Sequence, residues 1–159
     1  MFKRIVLLLD AGEAGEVATS FTVALARENG AVVHVVHVNE YLLGGRGITT
    51  ETHLEAAEIV ATALRAMHDA GVRATGVTYR TTPFDLPAVM CDVADHVEAD
   101  LIVVGSRRRR RHALVRRGMR DRIMRRTSLP VLAAPPPLRV RPRELHSLAE
   151  LDADLSLRH

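Results

Sequence analysis

Residues 5–10 read Ile-Val-Leu-Leu-Leu-Asp, five aliphatic residues closed by a carboxylate. No polar residue alternates through the run, so it specifies a strand covered on both faces rather than one with a wet side. Two further runs share this character: Ala31–Val38 (AVVHVVHV) and Leu101–Val104 (LIVV), the latter closed by Gly105-Ser106. Between the first two runs, Val17, Phe21, Val23, Ala24 and Leu25 predict a helix over Glu13–Asn29 that Asn29-Gly30 stops. After the second run, Leu54, Ala57, Ile59, Val60, Ala61 and Leu64 predict a helix over Thr52–Ala70, with Gly71 just past its end.

The remaining elements follow the same alternation. Val72–Tyr79 reads as a weaker third strand, and Pro83 and Pro87 bracket the start of a helix running to Val97. A short helix ending near Arg126 precedes Pro130–Ala133, a short edge strand whose leading proline needs no ladder donor. Asn39–Thr50, with Gly44, Gly45 and Gly47, reads as a loop. Five strands alternating with four helices predict an α/β fold: a doubly wound, Rossmann-like five-stranded parallel sheet with helices on both faces. The expected domain spans residues 1–134. Pro135-Pro-Pro137 opens a Pro- and Arg-containing tail over 135–159, where Ser147-Leu-Ala-Glu150 has capping-box spacing for a short helix.

Composition narrows the function classes. With 47% hydrophobic and 26% charged residues the 159-residue chain is an ordinary globule, and no apolar run approaches the ~20 residues needed to span a bilayer. The start, MFKRIVLLLD, has too short an apolar stretch and no small-residue cleavage site, so no secretory leader is expected. The single cysteine, Cys91, fits a reducing, cytoplasmic setting. The net charge is +3, yet residues 107–126 hold eleven arginines against Asp121 alone, a net of +10, leaving −7 elsewhere. That basic window, with the Arg107–Arg111 run at its head, has three readings: a solvated loop, a lid over a polyphosphate, or a sequence-independent contact with nucleic acid or another polyanion. Without tryptophan, and with only five Phe and Tyr together, base stacking is poorly supplied.

In an open parallel sheet, ligands bind beyond the carboxyl ends of the strands where strand order reverses. Asp10 and Gly105 stand at two such ends. Asp10 is suited to accept from a ribose hydroxyl or an adenine amine, and backbone amides after Gly105 and at the next helix start are suited to a phosphate. The plainer alternative has Asp10 capping the first helix. His34 and His37, three apart on one strand, point to opposite faces and do not chelate one metal. His68, His96 and His112 are scattered, Cys91 reads as a small core residue, and no catalytic constellation emerges.

Four pieces in order, IVLLLD with Asp10, VVHVVHV, Ala99–Ser106 (ADLIVVGS) and LPVLAAP from Leu129, resemble the universal stress protein family over residues 1–134. The resemblance implies a five-stranded sheet, dimerisation through the last strand, and ATP bound by some members and not by others. It also implies cofactor-binding roles for Asp10, for Val38 at the adenine side of the second strand, and for Gly105 and Gly118. ATP-binding members carry G-x2-G-x9-G-(S/T). Read forward, this chain has Gly105, Arg108, Gly118 and Met119 at those positions; shifted by one, Arg117 and Gly118 take the last two. Either way the second glycine and the hydroxyl are missing, and a side chain at the second position blocks backbone approach to phosphate. The expectation is a dimeric cytoplasmic binding or regulatory module with weak or absent ATP binding, not a turnover enzyme. The alternatives are a slowly hydrolysing ATP-binding member with an arginine-modified phosphate site, and a polyanion-binding protein.

Overall fold

The computed structural model describes residues 1–41, 49–105 and 118–137. Nine elements alternate: β1 (Arg4–Leu9), α1 (Glu13–Asn29), β2 (Val32–Glu40), α2 (His53–Asp69), β3 (Ala74–Thr81), α3 (Leu86–His96), β4 (Leu101–Val104), α4 (Met119–Met124) and β5 (Val131–Ala133). The strands form one parallel sheet in the order β3-β2-β1-β4-β5. The chain winds outward from β1 to β3, then returns to lay β4 on the other side of β1, which makes the β1/β4 junction the switch point. The expected α/β doubly wound sheet is the one observed.

Alternation along the strands sorts the core into two layers. Ile5, Leu7, Val33, Val35, Leu101 and Val103 face α1 and α2, while Val6, Leu8, Val36, Ile102 and Val104 face α3 and α4. Both sets are nearly inaccessible, as a strand without polar alternation requires.

The helices are present where their period predicts them, but their buried faces are drawn from smaller residues than expected. On α1 the buried positions are Gly15, Ala18, Thr19, Thr22 and Ala26, whereas Val17, Phe21, Val23 and Leu25 are half-buried and Ala24 is exposed. On α2 they are Ala56, Val60, Ala63 and Met67, spaced four, three and four apart, while Leu54 is 79% exposed. A helix lying close on a sheet selects small side chains at the contact, so the bulkiest apolar residues are displaced to its flanks. Two strand ends also differ. β2 runs on through Asn39 and Glu40, two residues into the loop expected from Asn39 to Thr50, and Tyr41 bridges Thr49. β3 is shifted two residues toward the C-terminus, paired from Ala74 to Thr81. Arg107–Arg111, Gly44, Gly45, Gly47 and the Ser147–Glu150 spacing lie outside the described residues.

Candidate functional site at the carboxyl edge

β1 ends at Leu9, and the chain turns through Ala11 and Gly12 into α1. Gly12 is the helix N-cap with φ of 71°, a backbone conformation that glycine adopts at little cost. Gly15 is a second requirement: a Cβ there would stand 1.9 Å from the Asp10 carbonyl oxygen. The first turn of α1 is thus pressed onto the backbone of Asp10. The N-cap position itself is a glycine and so carries no capping side chain.

Register brings the two expected ends together. Leu8 pairs with Val104, and the Gly105 amide donates to the Leu8 carbonyl at 3.3 Å. A Cβ at Gly105 would lie 3.2 Å from Asp10 Oδ2 and 3.7 Å from the Ala18 methyl. The carboxylate of Asp10 therefore lies against the one residue of β4's exit that has no side chain, and any larger residue at 105 would press on it.

The other expected positions are placed differently. Val38 is not at the end of its strand: it is one residue past His37, the last β2 residue paired with β1, and it remains paired with Tyr79. Its side chain is buried in the α3/α4 layer, because β3 holds β2 in extended form for two residues more. Gly118 is the N-cap of α4 with φ of −57°, so backbone conformation does not demand glycine there. Met119, at the motif's hydroxyl position, is half-buried against the α3/α4 layer. Arg122 anchors the same short helix, donating to the carbonyls of Pro83 (2.7 Å) and Phe84 (3.0 Å).

A polar network that the sequence reading did not isolate braces the β1 side. His37, 2% exposed, meets the Leu9 carbonyl with Nδ1 at 2.9 Å and Glu51 Oε2 with Nε2 at 2.6 Å. A carbonyl only accepts, so Nδ1 is the donor in the bond to Leu9. Asn39 Nδ2 donates to the Glu51 carbonyl at 2.7 Å, and the Glu51 amide donates to Asn39 Oδ1 at 3.3 Å. One residue on, Thr52 and Glu55 form a reciprocal capping box on α2, and hydrogen bonds from Thr52 hold the Glu55 carboxyl below the usual range. The Thr52-x-x-Glu55 spacing is a capping-box signal that the sequence reading passed over; no spacing signals the His37–Glu51 pairing.

On the opposite face, His34 Nδ1 lies 2.7 Å from Thr75 Oγ1, and burial, followed by the charge of His96, holds its imidazole below the ordinary range. The two histidines are on opposite faces as the strand period requires. Cys91 is only partly buried in α3 rather than a core residue; burial and then the neighbouring Asp95 raise its thiol. No described helix is long and apolar enough to cross a membrane.

A parallel sheet with its switch point at β1/β4, and a carboxylate and a glycine meeting there, define an α/β domain of the doubly wound class. The sequence model of the universal stress protein family matches residues 1–135, and the chain belongs to that family. Solved structures show the same fold. A universal stress protein family member from Burkholderia pseudomallei superposes with a TM-score of 0.63 at 20% identity, covering 84% of this chain and 96% of that one. A universal stress protein from Archaeoglobus fulgidus in complex with dAMP gives 0.57 at 23% identity, covering 85% and 98%. A universal stress protein in complex with cAMP gives 0.64 at 18% identity, covering 83% and 95%. A search among curated proteins returned no match.

Proposed function

We propose that this universal stress protein is a cytoplasmic binding and regulatory module that holds an adenine nucleotide at the β1/β4 switch point, with ATP bound weakly or not at all. The observation that carries the reading is the contact of the Asp10 carboxylate with Gly105, which puts an acceptor suited to a ribose hydroxyl at the end of β4. The complexes of the similar proteins with dAMP and cAMP support the choice of ligand class. Weak ATP binding follows from Arg108 at the motif's second glycine and from Met119, which is half-buried against the α3/α4 layer and has no hydroxyl for a phosphate or a magnesium ion. With those groups missing, the module acts by binding rather than by turnover, and slow hydrolysis is the competing reading.

The working unit of this proposal is residues 1–134, assembled as a homodimer. β5 is a short sheet edge with Leu132 38% exposed, and pairing two such edges about a twofold axis gives a closed, isologous interface. Calorimetric titration of Mg-ATP and AMP at physiological salt tests the ligand. ATP is expected to bind no tighter than about 10 μM, near 6.8 kcal/mol, and Asp10→Ala to weaken AMP binding about tenfold. A submicromolar ATP constant, or AMP binding unaffected by Asp10→Ala, overturns the proposal.

A further inference from the structure

α1 and α2 lie side by side on one face of the sheet, but the rows they turn toward each other are built from small residues. Gly15 and Thr19 on one helix and Thr62 and Ala66 on the other do not fill the space between them, and a cavity of about 600 Å³ remains. That volume lies within the ~300–1,000 Å³ typical of sites for small organic ligands. Leu9, Ile59 and Ala63 give it apolar walls.

Charge decides what such a groove admits. Among the described residues, every ionisable side chain lining it is a carboxylate: Asp10, Glu16, Glu51, Glu55 and Glu58. Glu51 is taken up by His37 and Glu58 by Arg65, whereas Glu16 has no ion-pair partner among the described residues. Phosphate and carboxylate ligands are repelled from the Glu16, Glu55 and Glu58 side of this rim, and a neutral apolar ligand leaves it unused. A molecule with an apolar body and a cationic head satisfies both surfaces.

We propose that the α1/α2 groove is a second binding site, distinct from the β1/β4 switch point, for an amphiphilic organic cation: an aliphatic or aromatic body carrying a protonated amine or guanidinium. The apolar body lies along Ile59 and Ala63, and the head lies at the carboxylate rim. The site is independent of the nucleotide reading, although Asp10 borders both.

The test is an amide-NMR titration of the full chain with octylammonium, octanoate and octanol as probes. Octylammonium is expected to bind saturably, at about 1 mM or tighter, with shifts concentrated on α1 and α2, and octanoate is expected not to bind. Glu16→Gln combined with Glu58→Gln, both exposed positions, is expected to weaken octylammonium about fivefold. Ala66→Phe, also at an exposed position, fills the groove and is expected to abolish binding while leaving AMP binding unchanged. Octanoate or octanol binding as well as octylammonium, indifference to either variant, or no saturation by about 10 mM overturns the proposal. The last result is also the one expected if a second copy or another stretch of this chain fills the groove.

Discussion

The two strands that meet at the switch point hold their exits in opposite ways. At β1, the chain beyond Leu9 is fixed by backbone: Gly12 turns it, Gly15 lets α1 sit on the Asp10 carbonyl, and His37 ties the Leu9 carbonyl to Glu51. At β4, Gly105 closes the strand with its amide bonded to the Leu8 carbonyl, and α4 is a short helix held by Arg122 and by the half-buried Met119. Close packing and satisfied hydrogen bonds preorganise the first exit. On the second side, Arg122 and Met119 serve as anchoring groups. One strand end is thus clamped through backbone contacts, while the other side is anchored through the side chains of α4.

Three substitutions would break or sharpen this contrast. The largest effect is expected at Gly15→Val on the β1 side. Its Cβ would collide with backbone at 1.9 Å, so the helix has to lift from the strand, and urea unfolding should show a loss of about 3 kcal/mol. A loss below about 1 kcal/mol would mean that the first turn of α1 is not clamped to Asp10.

His37→Gln comes next. Glutamine cannot meet both the Leu9 carbonyl and Glu51 at the imidazole's spacing, so one buried polar group is orphaned, at a cost of about 2 kcal/mol in the same assay. Exchange protection at Leu9 and Glu51 should fall together in this variant. If only one falls, the network is not a single unit.

The smallest effect is expected on the β4 side. Met119→Ser restores the motif's hydroxyl but removes a half-buried anchor, so thermal unfolding should report a loss of about 1 kcal/mol. No gain in ATP affinity is expected, because Arg108 still occupies the second glycine position. A tenfold gain would show that the hydroxyl alone was lacking.

The fold was legible because it depends on runs and punctuation. IVLLLD, LIVV, Asn29-Gly30 and Gly71 have meanings set by sheet burial and helix termination, and they hold wherever the chain goes next. Helix faces were harder to read. Leu54 and Ala24 satisfy a helical period yet are exposed, since the sheet's demand for small contacts at Ala56, Ala63, Ala18 and Ala26 outranks side-chain hydrophobicity. Of the site, the meeting of Asp10 and Gly105 was readable from the winding rule. Val38 was misplaced by the strand's continuation to Glu40, which depends on pairing with β3 rather than on anything local. The His37–Glu51 pair joins a β2 residue to one in the segment before α2, and no spacing rule predicts it.

The bridge between Tyr41 and Thr49 bears on how this chain can change over evolutionary time. It fixes the two ends of the 42–48 segment beside each other, independently of what lies between. Lengthening a segment whose ends are already pinned costs only about 0.6 kcal/mol for each doubling, far less than most core substitutions. That position is therefore an entry point for inserted sequence: a peptide tag or a whole recognition element placed there would leave the sheet's register untouched.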